Sequence, residues 1–119
     1  MTRGTIILSL DCEGKWGMAD HLSPHHAAVI TNRNLAQVYA GLLKVLERRR
    51  LRATFAFVGA WTMNRDEYQP NADLFGDSPE SHVWPRNFRA DLQRGVTDGW
   101  FAPELLRTVV ADGRHEIAS

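Results

Sequence analysis

The chain has 119 residues, of which 44% are hydrophobic and 24% are charged. This length and composition suit one ordinary globular domain with a buried core, so an intrinsically disordered chain is not expected. The 14 basic and 14 acidic residues cancel. Without a net field to attract a polyanion, we expect no nucleic-acid partner.

Cysteine content and the first residues indicate the compartment. Cys12 is the only cysteine in the sequence, which excludes an intrachain disulfide and a thiolate zinc cage. The first residues lead into a six-residue apolar run, too short for a signal-peptide core or a membrane span. We therefore expect a cytoplasmic protein with no membrane-spanning segment.

The first predicted element is a strand at residues 5–10. This run is almost continuously apolar and contains two isoleucines, which is typical of a strand covered on both faces. We predict a central parallel strand here. Residues 14–30 show no sustained period and are predicted to form a long loop.

An amphipathic helix follows. Thr31 is a suitable N-cap, and the segment ends in arginines that complement the helix dipole. A second apolar strand at 53–58 completes a strand-helix-strand unit with parallel strands and a right-handed crossover. The predicted inward positions of the helix are Leu35, Val38, Leu42, Val45 and Leu46.

The second half of the chain is less regular until residue 103. Turn-forming residues accumulate between 61 and 100, and a short helix is predicted near 86–93. Pro103 suits the first turn of a further helix and Gly113 its left-handed end. A third strand begins at Glu116. The inward residues of this last helix are predicted to be Leu105, Leu106, Val109 and Val110.

Three short motifs occur in order at 8–14 (Leu-Ser-Leu-Asp-Cys-Glu-Gly), 53–59 (Ala-Thr-Phe-Ala-Phe-Val-Gly) and 113–119 (Gly-Arg-His-Glu-Ile-Ala-Ser). Together they resemble the polysaccharide deacetylase superfamily, the carbohydrate esterase family 4 hydrolases. The resemblance implies an α/β fold, a distorted (β/α) barrel with its active site at the carboxyl ends of the strands. Residues 1–119 would form the N-terminal part of one such domain, a partial barrel of three to four β/α units that ends inside the metal-ligand motif.

Asp11 and Glu13 are the candidate catalytic acids, because alternation along an extended segment points both to one face. In the family the first motif is usually Thr-Phe-Asp-Asp-Gly, with a base followed by a metal ligand. Here one residue separates the acids, so two alignments compete. Anchoring on Gly14 places Cys12 at the base position. We prefer Asp11 as base and Glu13 as metal ligand, because cysteine does not easily replace a carboxylate; the alternative is that both acids merely solvate a strand end.

The two neighbouring acids are also expected to raise the pKa of Cys12, which argues against a nucleophilic thiol. The resemblance further implies a divalent metal, with zinc expected, held in the complete domain by Glu13 and two histidines. The first of those histidines would follow Ser119. His115 is expected to be structural, and three loop histidines lack a justified ligand spacing: His21, His25 and His26.

Three tryptophans, Trp16, Trp61 and Trp84, are candidates for substrate binding. They fall in segments expected near the barrel mouth, where an indole ring can stack on a sugar. Packing in the core is the alternative for each of them.

The resulting hypothesis is a metal-dependent hydrolase that removes an N-acyl group, typically acetyl, from an amino sugar or polysaccharide. The chain as given is expected to be incomplete and nearly inactive alone, and an exposed sheet edge makes a homo-oligomer a candidate assembly. Two alternatives remain open. One is a metal-independent cyclic amide or ureide hydrolase of the same superfamily, and the other is a non-catalytic sugar-binding module.

Overall fold

The structure is a computed structural model that describes residues 4–75 and 85–119. Trp84 therefore lies outside the described residues. The strands are β1 (Ser9–Cys12), β2 (Thr54–Phe57) and β3 (Glu116–Ala118). The helices are α1 (Pro24–Val29), α2 (Asn32–Arg48), α3 (Arg65–Tyr68), α4 (Arg86–Gln93) and α5 (Pro103–Asp112), with 3₁₀ helices at Gly14–Met18, Gly59–Thr62 and Gln69–Phe75.

The described strands form one sheet in the order β1-β2-β3, and both neighbouring pairs are parallel. Helix α2 lies between β1 and β2 in the chain, and α5 lies between β2 and β3. The two helices contact each other, so they cover the same face of the sheet. The predicted α/β class with parallel strands is confirmed.

The strand register sorts side chains between a face covered by α2 and α5 and the opposite face. Among the described residues this opposite face is called helix-free because its side chains are exposed or half-buried, namely Ser9, Asp11, Thr54, Ala56, Glu116 and Ala118. Leu10 pairs with Phe55, and Phe55 pairs with Ile117, so these side chains share one face. Phe55 is fully buried there. The opposite face carries Thr54 and Glu116, whose side chains are joined by a 2.7 Å hydrogen bond from Thr54 Oγ1 to Glu116 Oε2.

The prediction of a central first strand over 5–10 is wrong. β1 begins at Ser9, which pairs with Thr54 at the start of β2, and β1 is an edge of the described sheet. Ile6 and Ile7 are 94% and 84% exposed. An apolar run shows that burial would be favourable, but burial also needs a packed neighbour, and β2 begins too late to pair with these residues.

Helix α2 begins as predicted, with Thr31 Oγ1 accepting a 3.1 Å hydrogen bond from Asn34 N. Its inward positions were predicted less well, since Val38 and Val45 are 61% and 45% exposed. The apolar arc of the helix is wider than the surface that the sheet covers, and both valines lie on its flank. The buried side chains of α2 are Tyr39, Leu43 and Leu46.

In the remaining helices too, the predicted ends agree with the structure better than the predicted burial does. Helix α4 has the predicted bounds. Helix α5 begins at Pro103, and Gly113, whose φ is 72°, is its C-cap. Val110, however, is 54% exposed. The predicted loop over 14–30 is also wrong, because it contains a 3₁₀ helix and α1, where Ser23 Oγ accepts from His26 N.

Among the described residues, every helix is too short or too polar to cross a lipid bilayer.

Phe55 is the packing centre of the helix-covered face. We expect Phe55→Ala to lower the free energy of unfolding by about 3–5 kcal/mol, because a buried ring is lost and a cavity remains. Val38→Ala is the control at an exposed apolar position and should change stability by less than about 0.5 kcal/mol. Urea denaturation measures both, and equal effects would contradict the assigned faces.

Asp112, the last residue of α5, forms an ion pair with Arg114. Arg114 donates from Nε and Nη2 to the two carboxylate oxygens of Asp112, at 2.7 and 2.6 Å. These hydrogen bonds hold the pKa of Asp112 below its ordinary value. The next residue, His115, accepts a 3.2 Å hydrogen bond from Ala53 N and packs its ring edge-on against Phe55, which agrees with a structural role for this histidine.

The lowered pKa of Asp112 predicts a pH-dependent contribution to stability. The ionised carboxylate stabilises the fold above its unfolded pKa of about 3.9, and this contribution is lost as the pH falls through the lower folded pKa. Asp112→Asn should therefore be less stable than the parent at pH 7, and the gap should narrow near pH 3. Urea denaturation at both pH values measures this.

Glu104→Gln is the control, because Glu104 and Arg107 form an exposed pair at 3.2 Å that should contribute little. A gap between Asp112→Asn and the parent that is equally large at pH 7 and pH 3 would contradict the stabilising role of the carboxylate.

Candidate functional site

Asp11 lies near the carboxyl end of β1 on the helix-free face and is exposed. It pairs in register with Ala56 of β2, which pairs in turn with Ala118 of β3. Both neighbours in this row carry only a methyl group. The Asp11 carboxylate is therefore not covered by large side chains from the described sheet.

Glu13 follows β1, but its position is set by a turn. Its φ and ψ of −123° and −23° are not those of a strand, so strand alternation does not determine where its side chain points. Its carbonyl accepts a 3.0 Å hydrogen bond from Trp16 N. Its carboxylate lies over Gly17, where an added Cβ would collide with Glu13 Oε2. Both acids thus lie at the carboxyl end of β1, but the strand orients Asp11 and the turn orients Glu13.

Cys12 separates the two acids and points to the opposite face of the sheet. It is 1% exposed. Burial raises the pKa of its thiol, a hydrogen bond with Tyr39 partly offsets this, and the charges of Asp11 and Glu13 raise the pKa further. The expectation of a raised pKa is confirmed. A buried, protonated thiol on the helix-covered face is poorly placed to act as a base, which favours the alignment that uses Asp11.

Gly14 fixes the backbone of the turn after Glu13. Its φ is +56°, and an added Cβ would lie 2.5 Å from Trp61 Nε1 and 2.6 Å from the carbonyl oxygen of Gly99. The neighbouring Lys15 N donates to that same carbonyl at 2.9 Å. The turn is therefore packed between the segment after β2 and the segment before α5.

The two described tryptophan candidates lie in the core. Trp16 is 4% exposed, and its Nε1 donates a 2.8 Å hydrogen bond to the carbonyl of Trp100. Trp61 is 1% exposed and its ring stacks on Phe57 with centroids 5.8 Å apart. These positions favour the core-packing alternative, and sugar stacking by either ring stays a prediction. Trp84 lies outside the described residues.

Sequence reasoning missed a buried ion pair beside the site. Lys15 and Asp91 are 3% and 7% exposed, with Lys15 Nζ 3.9 Å from Asp91 Oδ2. The same oxygen accepts a 2.9 Å hydrogen bond from Trp100 Nε1. No local pattern could have found this pair, because Lys15 falls in a segment read as loop and Asp91 lies on α4.

Asn32 ties the start of α2 to the same region. Its Nδ2 donates to the carbonyl of Phe101 at 2.7 Å, and its Oδ1 accepts from Gly99 N at 2.8 Å. Its own backbone N donates to Asp98 Oδ1 at 2.7 Å. The segment that contacts Gly14 and Lys15 is therefore itself held in place by α2.

The described side chains do not complete the expected zinc site. Within residues 4–75 and 85–119, no three His, Cys, Asp or Glu side chains are grouped so that they could hold a metal ion. Asp11 and Glu13 together supply at most two carboxylates, fewer than the three protein ligands of a typical catalytic zinc. The described side chains do not fit a complete zinc site, and we derive no chemical step through a metal.

Comparisons with protein-family models, with curated proteins and with solved structures each found no match. The observations that bear on function are therefore the geometry around Asp11 and the resemblance of the three motifs.

The crowded turn at Gly14 gives a stability prediction. Gly14→Ala should destabilise the protein by about 1–2 kcal/mol through its left-handed backbone, and by more through the clash with Trp61 and Gly99. Gly41→Ala is the matched control, because Gly41 lies within α2 with no atom within 4 Å of an added Cβ. It should stabilise by about 0.5–1 kcal/mol. Thermal unfolding tests both, and a neutral Gly14→Ala would contradict the described turn.

Proposed function

We propose that this chain carries the general base, Asp11, of a hydrolase that removes an N-acyl group, typically acetyl, from an amino sugar or polysaccharide. The observation that supports this is the exposed Asp11 carboxylate at the carboxyl end of a parallel strand, on the helix-free face. In α/β barrels and open parallel sheets, this end of the strands is where substrates bind.

The fold that we propose for the complete domain is a distorted (β/α) barrel, of which these strands form part. Two observations support it. The strands follow one another across the sheet in chain order, and α2 and α5 cover the same face. In a barrel the helices form the outer ring, which would turn the face with Asp11, Ala56 and Ala118 toward the interior.

The proposed reaction uses Asp11 as a proton acceptor. The carboxylate takes a proton from a water molecule while the water oxygen bonds to the acyl carbonyl carbon. When the carbon–nitrogen bond breaks, the proton passes from Asp11 to the departing amine nitrogen. The products are a carboxylate and a free amino sugar. Proton transfer by a positioned group of this kind contributes about 10²–10⁴-fold to a rate.

The proposal includes a divalent metal, with zinc expected, but its site requires ligands in addition to Glu13. Glu13 would be one ligand, as the motif resemblance implies, but the described His, Cys, Asp and Glu side chains do not complete the set. When bound, such a metal would polarise the acyl carbonyl. Metal analysis of the active protein and its sensitivity to a chelator test this part separately.

A metal-independent hydrolase of cyclic amides or ureides is the second candidate. The same observation supports it, because an exposed Asp11 in a row with the small side chains of Ala56 and Ala118 can act as a base without a cation. Chelator-resistant turnover of a cyclic ureide such as hydantoin would favour it over the deacetylase.

The proposed setting is a cytoplasmic protein that acts on an amino-sugar or glycan substrate. The reduced, buried Cys12 supports a reducing compartment. A homo-oligomer belongs to the proposal because β1 and β3 each form an edge of the described sheet, and a free edge can pair with another strand.

Asp11→Asn, made in the complete domain of the proposal, tests the catalytic assignment. We expect turnover of N-acetylglucosamine oligomers to fall by about 10²–10⁴-fold, because the amide cannot accept the proton, while the unfolding midpoint changes little at this exposed position. Asp66→Asn, an exposed aspartate on α3, is the matched control and should retain full activity. Release of acetate measures both.

Three outcomes of this experiment are informative. Equal activity of Asp11→Asn and the parent would remove Asp11 from the mechanism. Turnover of hydantoin alone would select the second candidate. Glycan binding that survives Asp11→Asn, with no turnover in the parent, would identify a sugar-binding module in place of an enzyme.

A further inference from the structure

A buried lysine follows the candidate acids in the chain. Lys15 is two residues after Glu13 and is 3% exposed. Its aliphatic stem packs under Gly99, where an added Cβ would lie 2.9 Å from Lys15 Cε. Its Nζ lies 6.0 Å from the centre of the Trp100 ring. The side chain therefore points into the protein, away from solvent and from any substrate.

The partner of this cation is Asp91 on α4. Lys15 Nζ is 3.9 Å from Asp91 Oδ2, and that oxygen also accepts the 2.9 Å hydrogen bond from Trp100 Nε1. The other oxygen of Asp91 pairs with Arg94. Asp91 therefore keeps two partners when the charge of Lys15 is removed, which makes a conservative substitution of Lys15 informative.

Lys15 and Trp16 attach the turn that bears Glu13 to the rest of the protein through three polar contacts, in addition to the 2.8 Å hydrogen bond that Asn87 Nδ2 of α4 donates to the carbonyl of Ala19. Lys15 N donates to the carbonyl of Gly99 at 2.9 Å, and Trp16 Nε1 donates to the carbonyl of Trp100 at 2.8 Å. The ion pair with Asp91 is the third. The backbone between β1 and α1 has no strand partner among the described residues, and these contacts hold it in position.

A buried lysine needs a reason, because removing an ammonium group from water is costly unless it is paired. A methionine of similar length would fill the same space without that cost. What the ion pair adds is an attraction between the turn and α4 that an apolar side chain at position 15 would not supply. Buried ionic groups have a specifying role in some proteins.

We propose that Lys15 is a positioning residue, whose ion pair with Asp91 holds the Gly14–Met18 helix and thereby places the Glu13 carboxylate relative to Asp11. This inference rests on the proposed function for its catalytic consequence. Its structural part, the dependence of the turn on the ion pair, stands independently. Lys15 itself contacts no substrate.

Lys15→Met tests the proposal in the full chain, because it keeps the stem and removes the charge. We expect amide hydrogen exchange at Trp16 and Ala19, whose N–H groups bond within this turn, to rise about tenfold through local opening. Exchange at Val58 N, which bonds to the carbonyl of Cys12, should not change. Lys44→Met, at an exposed position of α2, is the matched control.

A coupling experiment separates positioning from general destabilisation. Asp91→Asn should raise exchange at Trp16 by a similar factor, and the double variant should add little to either single variant, because both remove one interaction. If Lys15→Met does not fold, Asp91→Asn, which keeps an acceptor for Trp100, carries the test alone. Additive effects of the two substitutions, or uniform acceleration that includes Val58, would overturn the proposal.

Activity gives the second readout. If Glu13 acts in the reaction, Lys15→Met should lower kcat by about 10- to 100-fold with KM little changed, because a catalytic group is displaced while substrate contacts remain. Unchanged kcat with raised exchange in the turn would overturn the catalytic consequence. A complete domain without turnover would overturn the proposed function, and the exchange measurements would still decide the role of Lys15.

Discussion

The parallel register between β1 and β2 is the constraint on which the rest of the structure depends. It places Leu10 and Cys12 beside Phe55 and Phe57, so one face of the sheet is apolar and is covered by α2 and α5. The same register leaves Asp11 on the opposite face. A slip of one residue would exchange the faces, exposing the aromatic rings and burying a carboxylate without a partner, which is strongly unfavourable.

The turn after Cys12 extends this constraint from the sheet to the candidate site. Gly14 fits between the indole of Trp61 and the carbonyl of Gly99, while Lys15 reaches Asp91 on α4. The geometry of Glu13 is therefore set by groups that are distant in sequence. Asp11, by contrast, is oriented by the strand itself. Only one residue separates the two acids in the chain, yet their positions have different physical origins.

This difference bears on the chemistry. A base needs an accessible carboxylate with a fixed direction, which β1 gives to Asp11. A metal needs several convergent ligands, and within the described part of the chain Asp11 and Glu13 have no third partner of a suitable kind. Proton abstraction from water by Asp11 is the step that we propose, and the buried thiol of Cys12 is poorly placed to replace it.

Local signals in the sequence determined much of the fold. Thr31, Pro103 and Gly113 mark helix ends through interactions with their own neighbours in the chain, and the structure confirms all three. The order β1, α2, β2, α5 and β3 was also predicted from the sequence, as were the bounds of α4, whereas α1 was missed. The sequence placed Asp11 and Glu13 at the carboxyl end of the first strand, and the structure has Asp11 within β1 and Glu13 directly after it.

Only the tertiary structure decided which apolar residues are covered. The exposure of Ile6, Val38 and Val110 and the burial of Trp16 depend on which surfaces the neighbouring elements reach. The pairing of Lys15 with Asp91 likewise required two segments 76 positions apart to meet. Hydrophobicity and charge state what each side chain favours, but burial and pairing are properties of two surfaces in contact, and the sequence of one segment describes only one of them.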